Sequence, residues 1–267
     1  MRIVLLAALC VLTVNSWAQP FILLQSTTST KNSGLYDFLL PKFFAHSGIE
    51  VRVVAVGTGQ ALKNAQNGDA DVLIVHAMSR ELDFVAQGYG IQRHQLMYND
   101  FIVIGPQNDP AAVAQTNSIV NALQRIADSR SIFLSRGDDS GTHIKEMSLW
   151  KLAGIDVSGD SGTWYREAGA GMGATLNTAV SMNAYTLSDR STWISFGNKQ
   201  HHQILYQGEP PLNNQYGVII VNPKLHPHVK YEQAKIFVDW LLSEEGQASI
   251  AQYRVDGQQL FFPNALH

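Results

Sequence analysis

The succession of apolar runs and glycine-rich turns predicts an α/β fold, arranged as two lobes joined by crossing strands. Short β-branched strands alternate with helical stretches along the whole chain, the pattern of βαβ units and a parallel sheet. No Pro/Ser-rich linker, repeat or low-complexity tract divides it, so two independent domains on a tether are not expected. With 267 residues, 45% hydrophobic and 15% charged, the chain can bury a core of its own and is too apolar to be disordered.

In order along the chain, Pro20–Gln25 is an apolar strand and Ser26–Gly34 a polar loop. Leu35, Phe38, Leu39, Phe43 and Phe44 recur at helical spacing up to Gly48. Glu50–Val56 is a second strand, Gly57-Thr58-Gly59 a tight turn, Ala61–Asn67 a short helix stopped by Gly68, and Asp71–Val75 a third strand. Phe101–Ile104 and Ile132–Ser135 follow as strands, with helices over Ile119–Ala127, His143–Ala153 and about Ala174–Asn183. Tyr216–Val221 is a strand, and Tyr231–Tyr253 reads as one amphipathic helix with Ala234, Phe237, Val238, Leu241 and Leu242 on its apolar face.

The first 18 residues have the form of an export signal. Arg2 is the charged start, Ile3–Val14 is an apolar run too short for the roughly 20 residues that span a bilayer, and Ser16-Trp17-Ala18 is a small-x-small cleavage site. Cleavage after Ala18 removes Cys10, the single cysteine, so disulfides, thiol nucleophiles and cysteine metal sites are not expected and the compartment is the periplasm. A sequence pI near 6.3 without a basic stripe argues against nucleic-acid binding. His201-His202 and His226-Pro227-His228 lack helical metal-ligand spacing. Ser140 and His143 lack the G-x-S-x-G elbow of a hydrolase, and Gly57-Thr58-Gly59 lacks the later glycine of a dinucleotide fingerprint. Neither a metal, a cofactor nor an enzymatic activity is therefore expected. Trp150, Trp164, Trp193 and Trp240 read as packing residues.

A strand, a hydroxyl- and glycine-rich turn and a helix start occur together four times: after Gln25, after Val56, after Leu134 and around Gly173. Each such turn offers unpaired backbone N–H groups and the positive end of a helix dipole, so four converging on one point would hold an anion. The richest is Ser135-Arg136-Gly137-Asp138-Asp139-Ser140-Gly141-Thr142-His143: Arg136 supplies a planar donor fork, Ser140 an N-cap, and Asp138 or Asp139 an acid to hold the arginine. The turns STTST and VGTGQ contain no acid, which favours a fully deprotonated tetrahedral anion over hydrogenphosphate. The residues do not separate one such oxyanion from another.

Seven stretches in order carry a resemblance: Ser26–Leu35, Val56–Leu62, Gly68–Leu73, Tyr98–Phe101, Ser135–His143, Gly171–Leu176 and Tyr185–Arg190. From about Phe21 to Phe262 the chain resembles the tungstate-binding proteins (TupA type) of bacterial ABC importers, and SRGDDSGTH is also similar to the ligand loop of periplasmic phosphate binders. Ser26 stands where the family's first motif usually has threonine, and Asn32 where it often has aspartate. The resemblance implies a periplasmic-binding-protein fold with a ligand cleft between the lobes. Phe101–Ile104 and Tyr216–Val221 would be the crossing strands, with 19–102 and 222–267 as one lobe and 103–221 as the other. Carried over by motif, Thr28, Ser29, Thr58, Arg136, Ser140, Gly141 and Thr142 are ligand contacts, with Thr27, Gly173 and Thr175 as further candidates. The implied role is a monomeric extracytoplasmic binder that passes tungstate, held only as the oxyanion, to a membrane permease and its ATPase. The alternatives are a molybdate, sulfate or phosphate binder, a sensor subunit, or a periplasmic phosphate-ester enzyme.

Overall fold

The computed structural model describes residues 19–208 and 210–265; the export signal, with Cys10 and the Ala18 cleavage site, lies outside the described residues. The chain runs β1 (Phe21–Thr27), α1 (Thr28–Asn32), α2 (Leu35–Ser47), β2 (Glu50–Val56), α3 (Thr58–Gln66), β3 (Val72–Val75), α4 (Met78–Ala86) and β4 (Gly90–Pro106). It continues through α5 (Ile119–Asp128), β5 (Phe133–Ser135), α6 (Gly141–Leu152), β6 (Tyr165–Glu167), α7 (Met172–Ser181), β7 (Thr186–Asp189), α8 (Arg190–Ser195) and β8 (His202–Tyr206). It ends with β9 (Asn213–Val221), α9 (Tyr231–Leu242), α10 (Glu244–Gln252), β10 (Arg254–Val255), β11 (Gln258–Gln259) and β12 (Phe262–Pro263).

The expected parallel βαβ core is present: β1 pairs parallel with β2 and with β3. β9 then pairs antiparallel with β3 on one side and β4 on the other, and β12 closes the far edge against β4. β4 does not stop there. Its Gly90–Asp100 half pairs with β9, and its Phe101–Ile104 half pairs with β7 in the second lobe, where β8 also joins it. A parallel β5–β6 pair extends that second sheet, Leu134 N donating to the Tyr185 carbonyl and Tyr185 N to the Ile132 carbonyl. Of the two strands proposed to cross, Phe101–Ile104 is the second half of β4, and Tyr216–Val221 lies in β9 with both neighbours in the first sheet.

Each sheet has its own core. Around the first, Ile22, Leu24, Val72 and Val218 pack beneath α2, α9 and α10, with Phe43 against Phe237 (ring centroids 4.8 Å apart) and Trp240. Around the second, Phe101, Val103 and Phe133 pack with Trp150, Trp164 and Tyr165, Phe133 meeting Trp150 edge-on at 5.0 Å. Aromatic pairs of this kind add about 0.5–1.5 kcal/mol to the burial itself. All four tryptophans read as packing residues are buried.

Three differences from the sequence reading have local causes. The helices α3, α6 and α7 begin at Thr58, Gly141 and Met172, two or three residues before the expected starts, because their first turns are Gly- and Thr-rich and carry little helical propensity. The single helix expected over Tyr231–Tyr253 is two: Ser243 is extended (φ −68°, ψ 165°), accepts from Gly246 N and caps a new helix whose first turn holds Glu244 and Glu245. The 90–100 half of β4 was not visible, because GIQRHQLMYND alternates irregularly and is half-exposed at several positions.

Candidate functional site

The first lobe brings hydroxyls to the cleft. β1 ends at Thr27, whose side chain caps α1 by accepting from Thr30 N; its Oγ1 lies 2.7 Å from Thr30 Oγ1 and 3.1 Å from Ser29 Oγ. Ser29 and Thr30 are buried, while Thr28 is half-buried at the first position of α1. Thr58 is the first residue of α3 and is fully buried. Ser26 is not part of this group: its hydroxyl bonds Tyr36 Oη at 2.5 Å and donates to the Ile74 carbonyl at 2.8 Å. Asn32, where the family often carries an acid, is exposed.

The second lobe brings charge and unpaired donors. Arg136 follows β5 and is 3% exposed; its guanidinium donates to Asp138 Oδ2, while its Nε has no hydrogen-bond partner among the described residues. Asp138 Oδ1 accepts from Ser140 N at 3.2 Å, and Ser140 Oγ caps α6 by accepting from His143 N at 3.2 Å, as its position in the motif suggested. Thr142 Oγ1 is fully buried and likewise without a partner among the described residues. Buried polar groups are nearly always satisfied, so two orphan donors close together in the chain mark a place built for an acceptor. Both acids of the motif are engaged elsewhere: Asp138 holds Arg136, and Asp139 pairs in a fork with Arg80 of α4 at 2.7 and 2.9 Å.

The two groups meet across the cleft. Gly141 N donates to Thr58 Oγ1 at 3.0 Å, leaving the Thr58 hydroxyl proton free to donate. The Arg80–Asp139 pair spans the same gap at the exposed rim. Between them is His76, a residue no sequence motif singled out. It follows β3, with Nε2 3.4 Å from Thr27 Oγ1 and Nδ1 2.9 Å from Asn214 Oδ1. Because Asn214 Nδ2 donates to Asn99 Oδ1 at 2.6 Å, Asn214 Oδ1 is the acceptor, so the ring carries its proton on Nδ1. Burial pushes the His76 pKa down to about 4; the Arg136 and Lys145 cations act in the same sense, against Asp189 and Asn214. The ring is therefore neutral at physiological pH. Asp189, although buried near it, is engaged as the cap of α8, accepting from Ser191 Oγ, Thr192 N and Thr192 Oγ1.

The fourth turn is arranged differently. Thr175 directs its hydroxyl to the Ala170 and Gly171 carbonyls, each at 3.2 Å, and so braces the loop whose Ala170 N reaches the Arg136 carbonyl. Gly173, the second residue of α7, is half-buried and its α-carbon faces open space. A cavity of about 250 Å³ borders the junction of the lobes; its lining includes His76, Ile144, Lys145 and Asn214 and, of the predicted ligand contacts, Gly141 alone. Lys145 donates to the Pro211 carbonyl at 3.0 Å, and burial lowers its pKa. His226 and His228 bond the Gln66 and Gly68 carbonyls, and no cluster of His, Cys, Asp and Glu suited to a metal occurs among the described residues. No described helix is long and apolar enough to cross a membrane.

Comparison with known proteins puts this geometry in context. The PBP superfamily domain matches residues 15–245. A tungstate-binding protein TupA from Peptoclostridium acidaminophilum is 48% identical over 252 residues, 93% of this chain and 87% of that protein. Among solved structures, the tungstate-binding protein TupA of Desulfovibrio alaskensis G20 is 44% identical, covers 92% of this chain and 100% of its own, and superposes with a TM-score of 0.82. The tungstate ABC transporter protein of Geobacter sulfurreducens is 46% identical, covers 87% and 98% respectively, and gives 0.80.

Proposed function

This chain belongs to the TupA-type tungstate-binding family of the PBP superfamily, and on that premise we propose that it captures tungstate between its lobes outside the cytoplasm and hands it to an ABC permease. The observation that carries the mechanism is the pair of buried donors Arg136 Nε and Thr142 Oγ1, without partners among the described residues, facing the lobe that carries the hydroxyls of Thr27, Ser29 and Thr58. Tungstate is a dianion with no proton of its own, so a site for it needs donors and no free carboxylate acceptor. Asp138, Asp139 and Asp189 are all engaged by other donors, which supports that choice over hydrogenphosphate.

Contacts from Ser29, Thr58, Arg136 and Thr142 side chains, with the N-terminal amides of α6 and the Gly173 turn, would surround the oxyanion. Ser140 would act as the α6 cap, Gly141 as the meeting point of the lobes, and Thr27, Thr28 and Thr175 as supports of the turns. Binding is by hydrogen bonds and charge alone, with no covalent step, by a monomer. We place the lobe boundary at Asp100/Phe101 in β4 and just ahead of Asn213, which moves 213–221 from the second lobe of the sequence reading to the first; the pairing of β9 with β3 supports this. The export signal read at the N-terminus and the family support a periplasmic location.

Calorimetric titration of the protein, dialysed free of oxyanions, with tungstate, molybdate, sulfate and phosphate tests the reading. Tight tungstate binding with sulfate and phosphate silent is expected. Phosphate binding with tungstate silent would overturn it.

A further inference from the structure

Where the lobes meet, Gly141 faces the His76 ring with no room for a side chain between them. A β-carbon placed on Gly141 would lie 2.5 Å from His76 Cε1 and 2.8 Å from Nδ1, closer than any real side chain tolerates. Gly141 is the first residue of an ordinary α-helix, so its φ does not call for glycine; the imidazole does. Nor can the ring step aside. Nδ1 is tied to Asn214, itself tied to Asn99, and the ring lies against Tyr216 at 4.9 Å and near Phe101 at 6.3 Å. The other close approach across the gap is of a different kind. A β-carbon on Gly59 would meet Asp139 Oδ2 at 2.6 Å, but that carboxylate is at the exposed rim and can rotate away. One lobe contact is hard and central, the other soft and peripheral.

We propose that His76 is a spacer that stops closure of the lobes at a fixed separation and so sets the size of the tetrahedral oxyanion the closed site accepts. The inference rests on the reading of this cleft as a tungstate site. The donors opposite one another belong to different lobes, so their separation is fixed by how far Gly141 can approach β3. Tungstate and molybdate are larger than sulfate. A shorter residue at position 76 lets the second lobe descend further and shifts preference toward the smaller anion. A side chain at 141 against the intact ring holds the lobes apart and weakens both anions, the smaller one more.

The test is a titration of wild type, His76→Ala, Gly141→Ala and the double variant with tungstate and sulfate. Gly141→Ala is expected to lose at least about tenfold in tungstate affinity, and the double variant to recover most of that loss. His76→Ala alone is expected to lower the tungstate-to-sulfate affinity ratio at least about tenfold. An unchanged ratio in His76→Ala, or no recovery in the double variant, would overturn the spacer, since an alanine that struck the ligand itself could not be rescued by removing the ring. If His76→Ala does not fold, His76→Asn, which keeps a donor for Asn214 on a shorter side chain, is read by the same ratio. The wild-type titration reads the functional proposal separately: silence toward tungstate there sinks that reading, whereas tungstate binding with an unaltered variant ratio sinks only the spacer.

Discussion

The first lobe presents Ser29 and Thr30 hydroxyls that already bond Thr27, whereas the second presents Arg136 Nε and Thr142 Oγ1, which bond nothing among the described residues. The α1 turn of the first wall is largely satisfied before any ligand arrives, with the Thr58 hydroxyl proton left free; the second wall holds buried donors that still lack acceptors. A buried donor without a partner costs about 1–3 kcal/mol, and an acceptor that meets it recovers that cost. The second wall therefore has more to gain from the anion. The first holds its hydroxyls in place at little cost in lost rotamer freedom.

That contrast can be tested by substitutions on both sides. Arg136→Ala removes the charged donor and should weaken tungstate binding by at least an order of magnitude, since charge-assisted bonds contribute about 1.5–3 kcal/mol; helix content by circular dichroism should stay as in wild type. A variant that binds normally would remove Arg136 from the site.

His76 gives a pH test of how dry the junction is. Its folded pKa of about 4 is below the unfolded value near 6.5, so between those values the unfolded chain binds more protons. Folding stability due to this residue is complete above about pH 6.5 and is lost as pH falls toward 4, at up to about 1.4 kcal/mol per pH unit. Buried Glu81 and Glu146, both raised to about 7 by burial, slope the other way and are lost as pH rises through 4.5 to 7. The comparison is therefore made against His76→Asn, whose urea-unfolding free energy should lack the His76 component; identical pH profiles would mean a solvated ring.

On the first wall, Ser29→Ala should cost only about fivefold in tungstate affinity, roughly 1 kcal/mol. A loss as large as that of Arg136→Ala would erase the contrast between the walls. Smallest of all is the rim. The Arg80–Asp139 pair has side chains 39% and 64% exposed, so a double-mutant cycle on binding should give a coupling of about 0.2–1 kcal/mol that fades at high salt. Coupling that persists at 1 M salt would mean the rim is drier than its exposure indicates.

Much of this was legible in the sequence. The parallel strands β1, β2 and β3, the Ser140 cap and an acid on Arg136 could all be read from local pattern, because each depends on neighbours a few residues away. The places where reading failed depend on partners far off. Nothing beside His76 marks it: its importance comes from Gly141, Asn214 and Thr27, each on a different element. Thr175 has the right residue type in the right motif, yet its hydroxyl turns back to its own loop, a choice between backbone and cleft that composition does not encode. The early starts of α3 and α6 escaped for a related reason. Residues that suit an anion at a helix terminus, Gly and Thr, are poor helix formers, so the chemistry of the site hides the helix that carries it.

β4 has a consequence of another order. One uninterrupted strand of 17 residues contributes Met97 to the first core and Phe101 and Val103 to the second. Neither sheet is complete without it, so the lobes are halves of one cooperative unit and not modules that could be traded between proteins. Cut at the boundary, each half would expose the edge where its missing stretch of strand had been.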